Sequence, residues 1–355
     1  MARAEKRRPT LADVAERSGM SKAAVSMILN DRPGSRLSAE AAEKVRKAAS
    51  ELGYRPNPAA QSLRLGKTRT IGFLSDQVTI TRYASGMIRG VLDAAKQHGH
   101  TVLMAETGGG FEGASEALDA MLDRRVDGVI VGLMGARMVD IPRLSHDVPV
   151  VIVNGRTPLD HPSILPDERA AGRAVAGALV DAGHTRIGVI GDLPHVVADP
   201  RLTVTIGDRF AGLDEVFRGA GIHPVHVDVD GWHPTIGYEQ THLLLDRHPE
   251  ITAILAGNDN VAFGVYQAAA ERGLRIPHDL SVISFDDEEL ASYQRPGLTT
   301  ARLPYEEMAR LGVEMLIGDH ELAHELVPMP LITRESVRDL RADPVPSDDS
   351  PTDSA

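Results

Sequence analysis

The sequence predicts an all-α head followed by an α/β core of two lobes, each built around a parallel sheet. Three short amphipathic helices account for most of the first 56 residues. From Thr70 onward, apolar strands alternate with amphipathic helices, which is typical of parallel sheets covered by helices on both faces. The alternation runs through two rounds with similar segments, HGHTVLMAE and AGHTRIGVIG, and therefore predicts two lobes of one architecture.

The head begins with residues 10–30, TLADVAERSGMSKAAVSMILN, which predict two helices around a tight turn. Thr10 is placed to cap the first helix with Asp13 as its reciprocal partner, and Ser21 is placed to cap the second. The spacing of a helix-turn-helix is carried by a small residue at the helix crossing, a turn glycine and a branched core residue, which are Ala15, Gly19 and Val25. An ordinary helical hairpin is the alternative.

Further elements follow in chain order. Ser38 is placed to cap a third helix that runs to Leu52, and Gly53 ends it. Asn57 and Pro58 are placed at the cap and first position of a short helix, which persists only when DNA or a second copy holds it. The predicted core elements are the strand 70–75, the helix 83–98, the strand 101–105, the helix 112–125, the strands 126–132 and 148–154, the helix 167–182, the strand 185–190, the helix 208–220, the strand 223–228, the helix 235–247, the strand 251–256, the helix 258–272 and the strand 279–284.

These elements divide the chain into four parts. The predicted parts are a head over 1–56 with its third helix at 38–52, a hinge helix and linker over 57–69, a core over 70–338 and a disordered acidic tail over 339–355. Within the core, lobe 1 is assigned to 70–162 and 291–320, and lobe 2 to 163–290 and 321–338.

Charge is spread unevenly along the chain, whose formal net charge is −12. Residues 1–69 hold 15 Lys and Arg against 7 Asp and Glu, whereas the remaining residues hold 23 against 43. A basic head on an acidic body is expected where only the head meets nucleic acid. The basic arm 1–9 is expected to order only on phosphate.

Composition also bounds the compartment. The chain has no cysteine, which excludes a disulfide framework and thiolate chemistry. Its charged start has no apolar run behind it, and no later segment approaches the length of a membrane span. The protein is therefore expected to be cytoplasmic and without membrane contact.

Five stretches resemble, in order and spacing, the LacI/GalR (lactose-repressor/galactose-repressor) family of bacterial transcription regulators. They are TLADVAERSGMSKAAVSMILN, ELGYRPNPAAQSLR, GHTRIGVIG, TAILAGNDNVAFGVYQAAAERGLRIPHDLSVISFDD and RPGLTTARLP. The resemblance implies a DNA-binding head, a hinge helix, a two-lobed effector core similar to periplasmic sugar-binding proteins, and a working dimer.

The resemblance also implies a DNA surface. Residues 21–30 correspond to the recognition helix in the major groove, and Leu63 corresponds to a side chain that enters a central base step from the minor groove. Plain helix packing is the alternative for Leu63. Ala24 and Met27 stand where many members carry threonine and arginine, so base preference at this step must come from apolar contact or from neighbours such as Lys22. The predicted DNA-binding residues are Thr10, Ser21, Lys22, Ala23, Ala24, Met27, Asn30, Tyr54, Asn57, Leu63 and Arg64.

The effector site is expected beyond the carboxyl ends of the strands, where open parallel sheets bind ligands. The resemblance implies ligand positions in such loops at Asn258, Asp286 and Arg209. Their amide, carboxylate and guanidinium groups suit the adjacent hydroxyls of a sugar ring, although structural satisfaction is the alternative for each. The resemblance also implies roles for Trp232, the only tryptophan, and for Asp167. Trp232 is either a stacking platform or a core residue, and Asp167 is either a ligand group or a helix cap. The loop SDQVTITRYASG is longer than the commoner family pattern and brings Arg82 or Tyr83 within reach of the cleft. The predicted effector-binding residues are Asp167, Arg209, Trp232, Asn258, Asp286 and Tyr83.

Three short patterns suggest enzymes or cofactors, but their contexts argue against these functions. The glycines of GGGFEG have dinucleotide-binding spacing but follow the second strand of a lobe instead of the first. His320 and His324 in HELAH match a zinc-protease pattern in a segment predicted to be a loop. The stretch GKT at 66–68 resembles the end of a P-loop, yet it follows a helix and lacks the earlier glycine. The sequence therefore predicts no enzyme, no cofactor and no metal.

Together these observations predict a sequence-specific transcriptional regulator, a repressor, that binds a pseudo-palindromic operator in double-stranded DNA as a homodimer. A tetramer is the alternative assembly. A small-molecule effector, a sugar or derivative, is expected in the interlobe cleft. The alternative function is that of a sugar-binding transport protein without a DNA role, which would carry an export signal instead of a basic head.

Overall fold

A computed structural model of the chain describes residues 9–30, 37–55, 66–77, 84–108, 111, 113–144, 148–318 and 320–342. The chain divides into two compact units, Met1–Arg69 and Thr70–Ala355, each with its own core. Several predictions lie outside the described residues: those for the arm 1–8, for Asn57, Leu63 and Arg64 of the hinge, for Tyr83, and for 343–355 of the tail.

The head contains three capped helices. They are α1 (Leu11–Ser18), α2 (Lys22–Leu29) and α3 (Ala39–Leu52). The backbone N–H of Thr10 donates to Asp13 Oδ2 at 2.7 Å, and Asp13 N–H donates back to Thr10 Oγ1 at 3.4 Å, which completes a capping box. Ser21 and Ser38 cap the next two helices, and Gly19 ends α1 with φ of 70°. The predicted helices and caps are confirmed.

The three helices enclose a small apolar core. Each contributes one valine that is fully excluded from solvent, which are Val14, Val25 and Val45. Fully burying an aliphatic side chain of this kind stabilises a fold by about 1.5–3 kcal/mol. The remaining buried members are Ala15, Ile28, Ala48 and Ala49.

The first lobe of the core is organised around a six-stranded sheet in the order β11-β5-β4-β3-β1-β2. Its strands are β1 (Thr70–Ser75), β2 (Thr101–Glu106), β3 (Val129–Met138), β4 (Val150–Arg156), β5 (Ser163–Pro166) and β11 (Glu325–Val327). All neighbouring strands are parallel. The helices of this lobe are α4 (Ala84–Gln97), α5 (Ala114–Asp123) and α12 (Tyr305–Ile317).

The second lobe has a six-stranded sheet in the order β12-β10-β9-β8-β6-β7. Its strands are β6 (Ile187–Asp192), β7 (Val225–Asp228), β8 (Ala253–Ala256), β9 (Ser281–Asp286), β10 (Thr299–Arg302) and β12 (Leu331–Ile332). β12 is antiparallel to β10, and the other neighbours are parallel. The helices of this lobe are α6 (Glu168–Asp181), α7 (Pro194–Val197), α8 (Ile206–Gly219), α9 (Pro234–Arg247), α10 (Asp259–Glu271) and α11 (Glu289–Tyr293).

Helices cover both faces of each sheet, as the alternating pattern predicts. In the first lobe, α4 and α12 pack on one face and α5 packs on the other. In the second lobe, α6 and α8 pack on one face and α9 and α10 on the other. Near-continuous apolar strands require such cover on both sides. The predicted fold class is therefore confirmed by the helices that cover each sheet.

The lobe assignments made from the sequence need correction at three strands. β5 and β11 were assigned to lobe 2 but lie in the sheet of lobe 1, and β10 was assigned to lobe 1 but lies in the sheet of lobe 2. Pairing decides membership, because Ile152 aligns with Ser163 and Thr299 aligns with Ile283. The chain therefore crosses between the lobes three times, at 166–168, 302–305 and 327–331.

Candidate functional site

The three crossings lie side by side and bring the two lobes together. The N–H of Asp167 donates to the carbonyl of Val327 at 2.8 Å, and the N–H of Leu303 donates to the carbonyl of Asp286 at 3.1 Å. Away from the crossings, Val204 N–H donates to the carbonyl of Ala136 at 2.7 Å. The end of β9 therefore lies at the junction of the two lobes, where a ligand site is expected.

Arg209 of α8 lies at the centre of a buried polar cluster, with 2% of its surface exposed. Its Nε and Nη2 donate to the two carboxylate oxygens of Glu168, both at 2.7 Å, and its Nη1 donates to the carbonyl of Gly257 at 2.6 Å. Asp286 Oδ1 lies 3.6 Å from Nη2. Such a forked ion pair is the strongest geometry available to a guanidinium.

Aromatic rings complete the surroundings of Arg209. Its guanidinium carbon lies 4.2 Å from the ring centroid of Phe285 and 5.1 Å from that of Trp232, both within cation–π range. Burial alone lowers the pKa of Arg209, but the charges of Glu168 and Asp286 outweigh burial and hold this pKa above its ordinary value. Arg209 is therefore a fixed cation.

Asp286 closes β9 in an unusual backbone conformation, with φ of 105°. Burial raises the pKa of its carboxyl to about 7, against the opposing charge of Arg209, and the charge of Glu168 adds to the rise. Its neighbour Asp287 points to a different set of partners, because it forms ion pairs with Arg302 and Arg334 at 2.7 and 2.6 Å. Consecutive aspartates thus serve two separate networks.

Asp259, at the first position of α10, is a second buried carboxyl beside Asp286. Its oxygens accept hydrogen bonds from the hydroxyl of Ser284, from Thr300 Oγ1 at 2.8 Å and from the N–H of Glu288 at 2.7 Å. Burial, followed by the charge of Asp286, raises the pKa of Asp259 to about 8. This carboxyl ties α10, β9 and β10 to the segment that follows Asp286.

Trp232, Asn258 and Asp167 were each predicted with two alternatives. Trp232 is half-buried beside the core of lobe 2, and its Nε1 donates to the carbonyl of Gly191 at 2.9 Å, so the ring is held over the ends of β6 and β8. Asn258 caps α10 by accepting from Val261 N–H at 3.0 Å. Asp167 caps α6 by accepting from the N–H three residues on, at 2.9 Å. The cap role of Asp167 is therefore present.

Lobe 1 contributes its own polar groups at the junction. Asp76, which follows β1, accepts from the N–H of Met134 at 3.2 Å and forms an ion pair with Arg137 at 2.7 Å. Tyr305 donates its hydroxyl to the carbonyl of Met134 at 2.8 Å. Burial raises the pKa of Tyr305, and the charges of Asp286, Glu168 and Asp76 raise it further. The two lobes thus share one electrostatic environment.

The structure brings Arg209, Trp232 and Asp286 together and places Asn258 directly after Gly257, whose carbonyl accepts from Arg209. Sequence reasoning missed the carboxylates and the tyrosine that surround them. The missed residues are Asp76, Glu168, Asp259 and Tyr305. Only Glu168 and Asp259 had a signal, because each directly follows a residue that was singled out.

The head presents part of its predicted DNA surface to solvent. Lys22 and Ala23 of α2 are exposed, and Met27 is half-buried. Ala24 is only 7% exposed, which differs from the prediction that it faces base edges beside them. Its N–H is also committed to the cap hydroxyl of Ser21 at 3.1 Å. The solvent face of α2 therefore begins with Lys22 and Ala23.

The remaining predicted head residues have internal partners. Asn30 donates to the carbonyl of Ser26 at 2.6 Å, and Tyr54 packs against the head core, where burial raises the pKa of its hydroxyl. The hydroxyl of Thr10 donates to its capping partner at 2.8 Å. These contacts hold the helices of the head in place. Whether the same side chains also contact DNA stays a prediction.

The pattern HELAH does not form a helical zinc site. The preceding helix ends at Ile317, and 320–324 is irregular. His324 instead shares hydrogen bonds with Ser163 Oγ at 2.9 Å and with Asp160 Oδ1 at 3.1 Å. The described residues hold no group of three or more potential metal ligands.

Comparison with known proteins agrees with the observations on the head and on the two-lobed core. A helix-turn-helix head and a two-lobed core with a buried polar site define the class of ligand-responsive DNA-binding regulators. The family described as bacterial regulatory proteins, lacI family, matches residues 10–57, and the periplasmic binding protein-like domain matches residues 176–337. The chain belongs to the LacI family of bacterial regulatory proteins, as the sequence resemblance implied.

Individual relatives match over nearly the whole chain. The ribose operon repressor of Haemophilus influenzae is 33% identical over 345 residues, which cover 94% of this chain and 99% of the relative. The transcriptional repressor PurR of Vibrio cholerae is 30% identical, with 93% and 98% coverage. A crystal structure of the lac repressor dimer bound to operator and the anti-inducer ONPF superposes with a TM-score of 0.72 at 27% identity, covering 94% of this chain and all of that one.

In the part of the chain that the structure describes, every helix is too short or too polar to cross a bilayer.

Proposed function

We propose that this protein is a repressor that binds a pseudo-palindromic operator as a homodimer and responds to a small-molecule effector, a sugar or sugar derivative, bound between its lobes. The single observation that carries the effector part is the buried cluster of Arg209, Asp286 and Trp232 at the junction of the lobes. The relatives support the regulatory part, since they are operon repressors and include a dimer on its operator.

The chemistry of the cluster suits a polyhydroxyl ligand. A sugar hydroxyl both donates and accepts, so it can bridge the carboxylate of Asp286 and a guanidinium hydrogen of Arg209. Its C–H face can pack on the indole of Trp232, which is held in place by the hydrogen bond to Gly191. Asn258 and Asp167 are proposed to line the site from the two helix ends that they cap. Tyr83 stays a prediction.

The head is proposed to read DNA with α2 in the major groove. Lys22 and Ala23 form the exposed start of this helix, and Met27 follows one turn later. Asn30 and Tyr54 are proposed to approach the phosphate backbone. Leu63 is proposed to enter the minor groove, and Asn57 and Arg64 of the hinge are proposed to bind DNA beside it. All three lie outside the described residues. No catalytic step is part of this proposal.

The first experiment captures fragments of bacterial genomic DNA with the purified protein and then adds a panel of sugars and related metabolites to the complex. We expect enrichment of a short palindrome and release or tightening by one compound. The same compound should change the fluorescence of Trp232, which is the only tryptophan of the chain. If no sequence is enriched, with or without the panel, the regulatory proposal fails and a ligand-binding protein without a DNA role becomes the better hypothesis.

A second experiment separates base contacts from phosphate contacts. Leu63→Ala should weaken operator binding far more than binding to random duplex, because a wedge acts only on a bent specific site. Alanine at both Arg7 and Arg8 should weaken both kinds of binding about equally and flatten the dependence on salt. Equal losses for Leu63→Ala on both DNAs would rule out the wedge.

A further inference from the structure

We propose that the interlobe site selects uncharged effectors and rejects anionic ones such as sugar phosphates, and that Glu168 sets this selectivity. The inference rests on the proposed function, because it assumes that the effector binds beside Arg209. It goes further in naming the charge class of the ligand and the residue that determines it.

The first argument is the use of the guanidinium donors. A guanidinium binds a phosphate or carboxylate best through two parallel N–H groups on one edge. In Arg209 the Nε–Nη2 edge is already filled by both oxygens of Glu168 at 2.7 Å, and Nη1 donates to the carbonyl of Gly257 at 2.6 Å. An incoming anion would find the forked edge occupied by a carboxylate of the protein.

The second argument is the balance of charge around the site. The site contains four acidic residues that are each at most 9% exposed, which are Glu168, Asp286, Asp259 and Asp76. Of these, Glu168 and Asp286 lie against the guanidinium group of Arg209. Arg137 is itself paired with Asp76 at 2.7 Å. The ion pairs with Glu168 and Asp76 already match the charges of Arg209 and Arg137, and the pKa values of Asp286 (about 7) and Asp259 (about 8) show that further negative charge is disfavoured beside them. A ligand anion would add negative charge to this buried cluster.

The third argument comes from the response of Asp286 to its neighbours. Its carboxyl lies beside Arg209, which favours the ionised form, and yet burial and the charge of Glu168 raise its pKa to about 7. The cluster therefore already resists one internal negative charge. A hydroxyl brings no net charge and can accept one of the two guanidinium hydrogens that Glu168 and Gly257 do not use, while it donates to Asp286.

Glu168 is placed to control this behaviour because it alone fills the fork of Arg209. Glu168→Gln keeps the size and one acceptor oxygen, removes one negative charge and frees one N–H of the fork. Phosphate esters should then bind better, whereas neutral sugars should bind about as before, because their proposed contacts are to Asp286, Arg209 and Trp232. A loss of packing would instead weaken both classes equally, so the ratio of the two affinities isolates the role in selectivity.

The test uses the full-length protein and the fluorescence of Trp232, with matched probes that differ only in charge. The probes are D-ribose and D-glucose, their 5- and 6-phosphates, and the corresponding sugars and phosphates of the compound captured in the operator screen. In the unmodified protein a neutral sugar should bind at least 100-fold more tightly than its phosphate ester. In Glu168→Gln this ratio should fall at least tenfold, mainly because the phosphate ester binds more tightly.

Glu215→Gln is the matched control. Glu215 is on α8, like Arg209, but pairs with Arg169 and Arg173 at the surface. The Glu215→Gln variant loses the same charge and should keep the original ratio of neutral-sugar affinity to phosphate-ester affinity. Asp286→Asn removes the other carboxylate beside Arg209 and provides a second variant if Glu168→Gln does not fold. It should also weaken the binding of neutral sugars, which donate to Asp286, so its measure is tighter binding of the phosphate ester itself.

The outcomes separate the two proposals. Tighter binding of a phosphate ester than of its neutral sugar by the unmodified protein would overturn the selectivity proposal and leave the effector site intact. An unchanged ratio in both Glu168→Gln and Asp286→Asn would remove the role of these carboxylates. If no probe of either class binds, while operator DNA is still captured, the proposed sugar-effector site itself is wrong.

Discussion

Substitution by alanine at two glycines of α6, Gly172 and Gly177, is expected to have opposite effects on the free energy of unfolding. A methyl group at Gly172 would lie 3.0 Å from the N–H nitrogen of Leu213 and even closer to the carbonyl oxygen of Arg209, whereas at Gly177 nothing lies within 4 Å. Helix α6 therefore touches the backbone of α8 at Gly172. Restoring ordinary contact distances of about 3.5–4.0 Å requires the helices to separate by roughly 1 Å.

The magnitude follows from two opposing contributions. Alanine is favoured over glycine within a helix by about 0.5–1 kcal/mol, and both variants gain this. Overpacking costs about 1–3 kcal/mol, and only Gly172→Ala incurs it. Gly177→Ala should therefore raise the free energy of unfolding by about 0.5–1 kcal/mol, and the two variants should differ by about 1–3 kcal/mol.

The site offers a second measurement of the same displacement. Glu168 lies on α6 and Arg209 on α8, so a separation of roughly 1 Å lengthens their hydrogen bonds of 2.7 Å beyond hydrogen-bonding distance. Gly172→Ala should thus also alter effector binding, whereas Gly177→Ala should not. Urea unfolding followed by Trp232 fluorescence reports on the stability of the core. Equal stability of the two variants would refute the close helix contact.

Three further predictions concern other parts of the chain. Thr10→Ala removes the capping box and should cost about 1 kcal/mol of head stability, measured by circular dichroism as a lower midpoint for the unfolding of the head helices with unchanged effector affinity; operator binding alone would not isolate this effect, because Thr10 is itself a predicted DNA-binding residue. The pKa values of Asp259 (about 8) and Asp286 (about 7) are raised on folding, so their stabilising effect is complete below about pH 4 and is lost as pH rises through 7 and 8. Core stability should fall by up to about 1.4 kcal/mol per pH unit for each of these carboxyls, and Asp259→Asn should flatten the fall in a series of urea titrations from pH 6 to 8.5. Tyr305→Phe removes the hydrogen bond to Met134 and should lower the unfolding free energy by about 1 kcal/mol; a change below the error of the titration would show that the bond contributes nothing.

Local signals in the sequence were sufficient for the head. A cap residue and the N–H that it serves lie three positions apart, so Thr10 with Asp13, and Ser21, specify their helix starts without reference to the rest of the chain. The alternation of strands and helices likewise has a period that can be counted along the chain. These features were predicted and are confirmed.

Pairing between distant residues could not be predicted in this way. β5 is four residues long and β11 three, and each belongs to lobe 1 only because its partner strand lies beside it in space. Glu168 and Arg209 are 41 positions apart, and nothing near either residue shows that they meet. Asp167 was singled out instead, because it matches a family position. Its cap role could also be predicted, because a cap is a local pattern, whereas an ion pair between two helices is not.

The position of the cluster relative to the crossings explains how a ligand could act on the lobes. Asp286 ends β9 and accepts from Leu303 in the second crossing, while Glu168 begins α6 directly after the first crossing. A ligand that changes the contacts of Asp286 or Glu168 therefore acts on backbone that joins the lobes. Suppose that the lobes adopt two arrangements, one of which the effector favours, and that these arrangements differ in their affinity for DNA. Effector and operator must then change each other's affinity by the same factor. Measuring effector affinity with and without operator gives this factor, and a factor of one would show that a ligand at this site does not act on DNA binding. Operator affinity measured with and without effector must give the same factor, which checks that both titrations are at equilibrium.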